Sequence, residues 1–490
     1  MPRRAALCKP HGGRHVQKAA LVGSRQSAAV SLDEAPDAYR LYSFRLAMTK
    51  EGDSMSTIAP AEQEGGYFPH WKEKAGGVIM PEERLPWGQT VISGLQHSVA
   101  MAGATIIAPL IMGFDPNLAL FFSGVGTLIF FVMVGGRVPS YLGSSFSFIA
   151  VVIAASGYSG HGPNPGIDIA QGGIVAAGVL YAIIALIVMA TGTGWVERLM
   201  PPVVTGAVVA VIGLNLAPVA VKAVSGSQFD AWIGLITVLI IGLIAVSTTG
   251  LWRRLPIILG AIAGYLVYLL LANGLQLGKP IDFSALAAAS WIGMPKFTSP
   301  SFHANAMFLI APVAIILVAE NLGHIKAIGA MTGRSLDAYL GRAFLGDSLA
   351  TIVSAFGGGT GVTTYAENIG VMAATRVYST VLFVIAAIVA IFLGFSPKFG
   401  ALILSIPGPV IGGLSIVLFG LIAAMAGRIW VENRVDFANP RNLVTVAAAL
   451  TAGAGDLTLK FGDFTMGGIG TATFGAIILY QVLAWDRSKE

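Results

Sequence analysis

The chain has 490 residues, 55% hydrophobic and only 11% charged, with a mean hydropathy of +0.75. Soluble domains carry about 25% charged residues, so an ordinary globular protein is excluded and a polytopic membrane protein is expected. The net charge of +5 asks for no nucleic acid, because basic cytoplasmic loops account for it, and the single cysteine, Cys8, excludes a disulfide framework or a cysteine-based metal site.

Residues 1–67 mix Arg, Lys, Ser, Ala and Asp without a sustained apolar run, and hold no signal-peptide h-region. They read as a disordered or poorly ordered cytoplasmic tail. Met48 and Met55 are alternative initiators, so the tail can be an over-extended start. The membrane-embedded body is expected over 68–490.

A span needs roughly 20 apolar residues. The runs predict fourteen, near 89–113, 116–136, 143–156, 168–191, 200–222, 231–248, 254–273, 305–326, 342–357, 362–375, 377–395, 403–427, 442–457 and 465–485. The third and tenth are too short or too polar to cross alone. Each opens on Ser, Thr and aromatic residues with period-two character, and reads as a short extended piece followed by a half-helix. Interrupted spans at matching places in two halves point to a transporter's binding site.

Internal repetition supports the two halves. Pro202-Val-Val-Thr-Gly206 is followed by Gly213-Leu214, and Pro409-Val-Ile-Gly-Gly413 by Gly420-Leu421, at identical spacing. His97 precedes Phe146 by 49 residues, and Glu320 precedes Glu367 by 47 (146 − 97 and 367 − 320). Seven spans per half make the second half enter from the opposite side, so an inverted 7+7 repeat is expected. With the N-terminus inside, the inner loops hold Arg137, Arg198, Arg253, Arg254, Lys326, Arg334, Arg342, Arg376, Arg428, Arg434 and Arg441. The outer loops hold only Lys222, Lys279, Lys296, Lys398 and Lys460, a balance of 11 against 5. The positive-inside rule then places both termini in the cytoplasm.

Two glutamates lie in runs that otherwise read as lipid-soluble. A carboxylate at membrane depth costs a few kcal/mol or more and is rarely kept without a partner or a ligand. Glu320 shares a helix face with His324, four residues on, and an imidazole there can accept or share a proton. Glu367 stands at the break of the tenth run, where a half-helix start leaves backbone N–H groups free. Phe146 sits in the matching break of the third run and can stack on a planar ring, as can Tyr365 more weakly. Gln96 and His97 form a polar pair in the first span, expected to brace the broken segments. Asp347 is expected to pair with Arg342 at the interface, and Arg376 to snorkel or meet helix carbonyls. No phosphate loop, metal cluster or nucleophile elbow is present, so no enzyme, cofactor or metal is expected. Coupling to an ion gradient is the economical mechanism.

These residues resemble the nucleobase:cation symporter-2 family, also called nucleobase–ascorbate transporters. Glu367-Asn-Ile-Gly370-Val-Met-Ala-Ala-Thr375-Arg376 is similar to its signature, and Gln96-His97, Gly143-Ser-Ser-Phe146 and Ala319-Glu-Asn-Leu-Gly-His324 to its other marks. Glu367, with 197–202 and 363–370, looks like the uracil branch. The resemblance implies a core domain (about 89–191 and 305–395) and a gate domain (about 200–273 and 403–485). It implies that Glu320 and Glu367 bind the base beside the backbone of Ala366, that Phe146 and Tyr365 flank it, and that His324 assists proton coupling. Gln96, His97 and Asn368 would give structural support. Ala366 stands where uracil permeases often have Gly, which bears on ring-substituent preference.

The implied function is proton-coupled symport of a pyrimidine nucleobase, uracil or thymine, across the cell membrane by alternating access. Na⁺ in place of H⁺ stays open, and a homodimer through the gate domain is implied. A purine or xanthine permease is the nearest alternative. An anion transporter of the same plan is a further one, which the acidic character of the deep charges disfavours.

Overall fold

The computed structural model describes residues 66–158, 162–249, 252, 255–462 and 464–485. The tail expected over 1–67 therefore lies outside the described residues, except for Gly66 and Tyr67. Those two belong to the folded body: Arg137 donates to the Gly66 carbonyl (2.8 Å) and the Tyr67 hydroxyl to that of Val132 (2.8 Å).

Two short strands, β1 (Lys72–Glu73) and β2 (Glu83–Arg84), pair in parallel ahead of the first helix. The elements then run α1 (Trp87–Met112), α2 (Pro116–Met133), β3 (Leu142–Ser144), a 3₁₀ turn (Phe146–Phe148), α3 (Ile149–Ser156), α4 (Ile167–Thr191), α5 (Gly194–Leu199) and α6 (Pro202–Val224). Next come α7 (Gln228–Ser247), α8 (Pro256–Leu269), which ends in one π turn (Leu270–Gly274), α9 (Ser284–Ala288), α10 (Ala304–Ile310), α11 (Val313–Thr332) and α12 (Leu340–Phe356). The last third holds β4 (Val362–Thr364), α13 (Ala366–Thr375), α14 (Val381–Gly394), α15 (Pro397–Leu404), α16 (Gly408–Glu432), α17 (Pro440–Ala454), the strands β5 (Leu459–Phe461) and β6 (Phe464–Met466), and α18 (Gly468–Trp485).

Helix boundaries follow local chemistry. Asp115 caps α2 by accepting from the Asn117 amide, and Pro116 takes the first helical position, where a missing N–H costs nothing. Gly113 ends α1 in the left-handed conformation.

Among the described residues, eight helices are long and apolar enough to cross a bilayer, counting α10 with α11 as one. A ninth results if α14 and α15, bent by 83°, form a single span. Helices suit this setting because each closes its own backbone hydrogen bonds where no water is available.

Helix packing falls into two sets. In the first, α12 lies on α4 and α2, α14 on α2 and α1, and α10 on α4. In the second, α16 runs along α6 and α7, α17 packs on α18 and α6, and α8 packs on α7. The two helices that carry the repeated Pro…Gly pattern, α6 and α16, are therefore partners. At Gly213 an added Cβ would stand 2.4 Å from the Phe419 carbonyl oxygen, so this crossing needs glycine.

Candidate functional site

The two broken runs meet inside the first set of helices. β3 and β4 pair antiparallel, with Leu142 opposite Thr364, Gly143 opposite Thr363 and Ser144 opposite Val362. The pairing continues past the strands: Tyr365 N donates to Tyr141 O (3.0 Å) and Ser145 N to Gly361 O (2.9 Å). All six strand residues are buried, so each strand supplies the backbone partners the other cannot obtain from water.

Two half-helices leave this ladder. Ser145 caps the first turn by accepting from the Ser147 amide (3.3 Å). The second, α13, starts after Tyr365 with no cap from that side chain; Glu367 lies in the first turn, and its carboxylate accepts from its own amide. Glu320 comes from α11. The carboxylates of Glu320 and Glu367 lie within electrostatic reach of each other. The Ser147 hydroxyl donates to Glu320 at 3.5 Å, a long contact. Glu320, His324, Phe146, Ala366 and Glu367 are all half-buried. The ring of Phe146 meets that of Phe419, on α16, edge to face at 6.0 Å, so the second set of helices reaches the site here.

Tyr365 is placed differently from a residue that flanks a ligand. It is 3% exposed, its hydroxyl donates to Ser144 O (3.0 Å), and it accepts from Thr105 Oγ1 (3.1 Å). Its ring lies against Gly143, where a Cβ would come within 2.4 Å of it. With its hydroxyl satisfied by protein, it braces the strand pair.

A chain of polar groups backs Glu320. Asn321 Nδ2 donates to the Tyr181 hydroxyl (2.7 Å) and to the Asp347 carboxylate, while Asn321 Oδ1 accepts from Thr364 Oγ1 (2.7 Å). His324 Nδ1 lies 2.8 Å from Thr364 Oγ1. Thr364 has one proton, given to Asn321, so it accepts from the Nδ1–H of the imidazole. The hydrogen bond of His324 thus goes to β4 rather than to Glu320. The expected Asp347–Arg342 pair is also replaced. Asp347 is wholly buried, and the Arg342 guanidinium stands over the Tyr67 ring at 5.3 Å. Five residues along a helix separate two side chains by about 140° of rotation, so they face different neighbours.

His97 and Asn368 join α1 to α13. Asn368 Nδ2 lies 3.0 Å from His97 Nδ1 and donates to the His97 carbonyl (3.1 Å), and the imidazole packs 4.7 Å from the Phe383 ring. Gln96 is half-buried beside them, its Nε2 without a hydrogen-bond partner among the described residues. Arg376 ends α13 in the left-handed conformation (φ 56°) with its side chain exposed. Among the described residues, no group of three or more His, Cys, Asp or Glu is placed to hold a metal ion.

Sequence reasoning passed over Asn321, Tyr181, Thr364, Ser147 and Phe419. Asn321 had a signal, since it is a polar residue next to Glu320 in the same apolar run. The others are common residue types that only the fold singles out.

A many-helix membrane fold that holds two half-buried carboxylates beside a pair of strand–helix breaks defines a multi-pass membrane permease. The chain belongs to the Permease family (Xan_ur_permease), whose model matches residues 88–461. It is 60% identical over 421 residues to RutG of Escherichia coli (strain K12), a protein named as a pyrimidine permease, covering 85% of this chain and 95% of that one. It is 40% identical to a uracil permease of Bacillus caldolyticus, over 83% of this chain and 94% of the relative. Two solved structures share the fold. The transmembrane domain of the cyanobacterial bicarbonate transporter BicA is 14% identical with a TM-score of 0.56, covering 80% of this chain and 96% of that one. The murine Slc26a9 anion transporter in its inward-facing state is 11% identical with a TM-score of 0.60, covering 90% and 75%.

Proposed function

We propose that this permease carries a pyrimidine nucleobase, uracil or thymine, together with a proton, across the cell membrane by alternating access. The observation that carries this reading is that Glu320 lies within electrostatic reach of Glu367, which stands in the first turn of α13. Uracil is flat and neutral, with alternating N–H donors and C=O acceptors. Two carboxylates accept its N–H groups, and the amide of Ala366 donates to a carbonyl. A base lacking an N–H leaves a buried carboxylate unpaired and is rejected. Phe146 lies on the ring face. Tyr365, Gln96, His97 and Asn368 hold the strands and α13 in place.

Glu320 and His324 serve proton coupling. A proton taken from outside lowers the cost of enclosing Glu320 with the substrate, and its loss inside releases both. His324 enters through Thr364 and Asn321, which tie its ring to the residue next to Glu320.

The reading includes fourteen spans in two inverted halves of seven, with both termini cytoplasmic. The third and tenth spans are the broken segments β3–α3 and β4–α13. The partnership of α6 with α16 supports the repeat. The first set of packed helices is the core, and the second is the gate, which is also the surface for a homodimer. Rocking of the core against the gate passes Phe146 across Phe419.

Uptake of labelled uracil into proteoliposomes under an imposed pH gradient tests the function. Accumulation is expected to rise with an inward proton gradient and to vanish when the gradient is collapsed. Uptake indifferent to the gradient ends the proton claim, and stronger competition by xanthine than by thymine moves the substrate to purines.

A further inference from the structure

We infer that residues 66–85, just ahead of α1, are a positioning clasp that sets the spacing of Glu320 and Glu367 by gripping the far ends of the two helices that carry them. This rests on the reading of those glutamates as the substrate site. The grip on α11 is an ion pair. Just past the end of that helix, the Arg334 guanidinium binds Glu82 through two parallel hydrogen bonds, 2.8 and 2.7 Å. Such forked pairs add geometric specificity to charge.

The grip on α13 is made by backbone. Ile79 N donates to Arg376 O (3.0 Å), Tyr378 N donates to Ile79 O (2.8 Å), and Thr380 N donates to Pro81 O (3.2 Å). Trp71 Nε1 reaches Thr380 Oγ1 at 2.9 Å. Ile79, wholly buried, packs with Val377 and Leu382 in an apolar cluster of its own, apart from the main core. The bonds close around Arg376, a non-glycine residue in the left-handed region, a conformation that needs its surroundings to hold it.

A third grip holds the end of α2, which leads into β3. The Tyr67 hydroxyl donates to Val132 O, Arg137 binds the Gly66 carbonyl, and Phe68 stacks on Phe131 at 5.5 Å. The clasp is itself stiffened. Glu83 accepts from Lys74 (2.9 and 3.1 Å) and from the Met80 amide (2.8 Å).

The need is physical. α13 has ten residues, and a helix that short is not stable alone. Its start is set by β4. Its end, and so the tilt that aims Glu367, is set by the clasp, and the same segment holds the end of α11.

A charge-swap cycle in the full chain tests this, using Glu82→Arg, Arg334→Glu and the double swap, with Glu82→Gln as a milder variant. Two readouts are equilibrium binding of labelled uracil and hydrogen–deuterium exchange over 320–334 and 366–376. Each reversal is expected to weaken uracil binding by about 10-fold and to speed exchange in both windows by a similar factor, as loss of a charged hydrogen-bonded pair implies. The double swap is expected to restore both to within about 3-fold. Unchanged exchange in the reversals, or a swap no better than either single variant, overturns the clasp. If the unmodified protein fails to bind uracil while exchange still follows the cycle, the clasp stands and the substrate reading falls.

Discussion

The two strand–helix breaks are built alike and equipped differently. β3 and β4 are both three residues long, pair with each other in register, and each ends at a half-helix. In the first, the Ser145 side chain occupies one opening amide, that of Ser147, no charged residue follows, and Phe146 supplies an apolar ring. In the second, the cap position is Tyr365, whose hydroxyl is turned away to Thr105 and Ser144. Tyr365 caps no amide, and Glu367 stands in the first turn with its carboxylate on its own amide. Under the proposed function, one backbone device, used twice, separates a surface for stacking from a surface for hydrogen bonding. A planar polar ligand uses both, its face for the first and its edge for the second.

That contrast can be broken at its acidic half first. Glu367→Gln keeps the size and one acceptor but removes the charge. Uracil affinity is expected to fall about 100-fold, close to the 3 kcal/mol upper range for hydrogen bonds to charged groups. Equilibrium binding measures it, and wild-type affinity would refute the division of roles.

The next test sharpens the ladder. Gly143 and Thr363 face each other in register, yet their tolerances should differ. Gly143→Ala drives a methyl into the Tyr365 ring, at a cost of about 1–3 kcal/mol, seen as a lower thermal midpoint in detergent. Thr363→Ala removes a buried hydroxyl that has no hydrogen-bond partner among the described residues, so it is expected to cost under about 1 kcal/mol. Equal midpoints for the two variants would mean that the close approach at Gly143 does not matter.

Phe146→Ala tests the apolar half. Loss of one aromatic contact of about 1 kcal/mol should raise the half-saturation concentration for uptake several-fold, while Phe146→Leu keeps most of the affinity. A larger loss than that of Glu367→Gln reverses the ranking of the two breaks. A comparably small effect belongs to the cap. Ser145→Ala is expected to cost about 1 kcal/mol and to speed amide exchange at 147–150, and α13, already uncapped, has no equivalent to lose.

Much of this contrast was legible in the chain. The broken runs were visible because a span has a minimum length, and 143–156 and 362–375 fall short of it. Glu320 and Glu367 were visible because charge in an apolar run is costly. The partners of these residues were less legible. Helix spacing points His324 at its neighbour Glu320, but its ring hydrogen-bonds Thr364 of β4. Asp347 was assigned to Arg342 nearby in sequence, but Asn321 of another helix reaches it. The 66–85 segment gave no hydropathy signal, and its contacts join residues as far apart as Trp71 and Thr380.

By itself, then, the order of residues settled that this chain lives in a bilayer, where its apolar runs break, and which acids stand out in them. Those are properties of a segment measured against its solvent, and a segment carries them wherever it goes. Only the folded molecule decided which hydroxyl meets which imidazole, that Ser144 and Thr105 hold the Tyr365 hydroxyl, and that the segment ahead of α1 bonds to the ends of α11 and α13. A hydrogen bond depends on tenths of an ångström between groups that distant loops have brought together, and no local pattern records that distance.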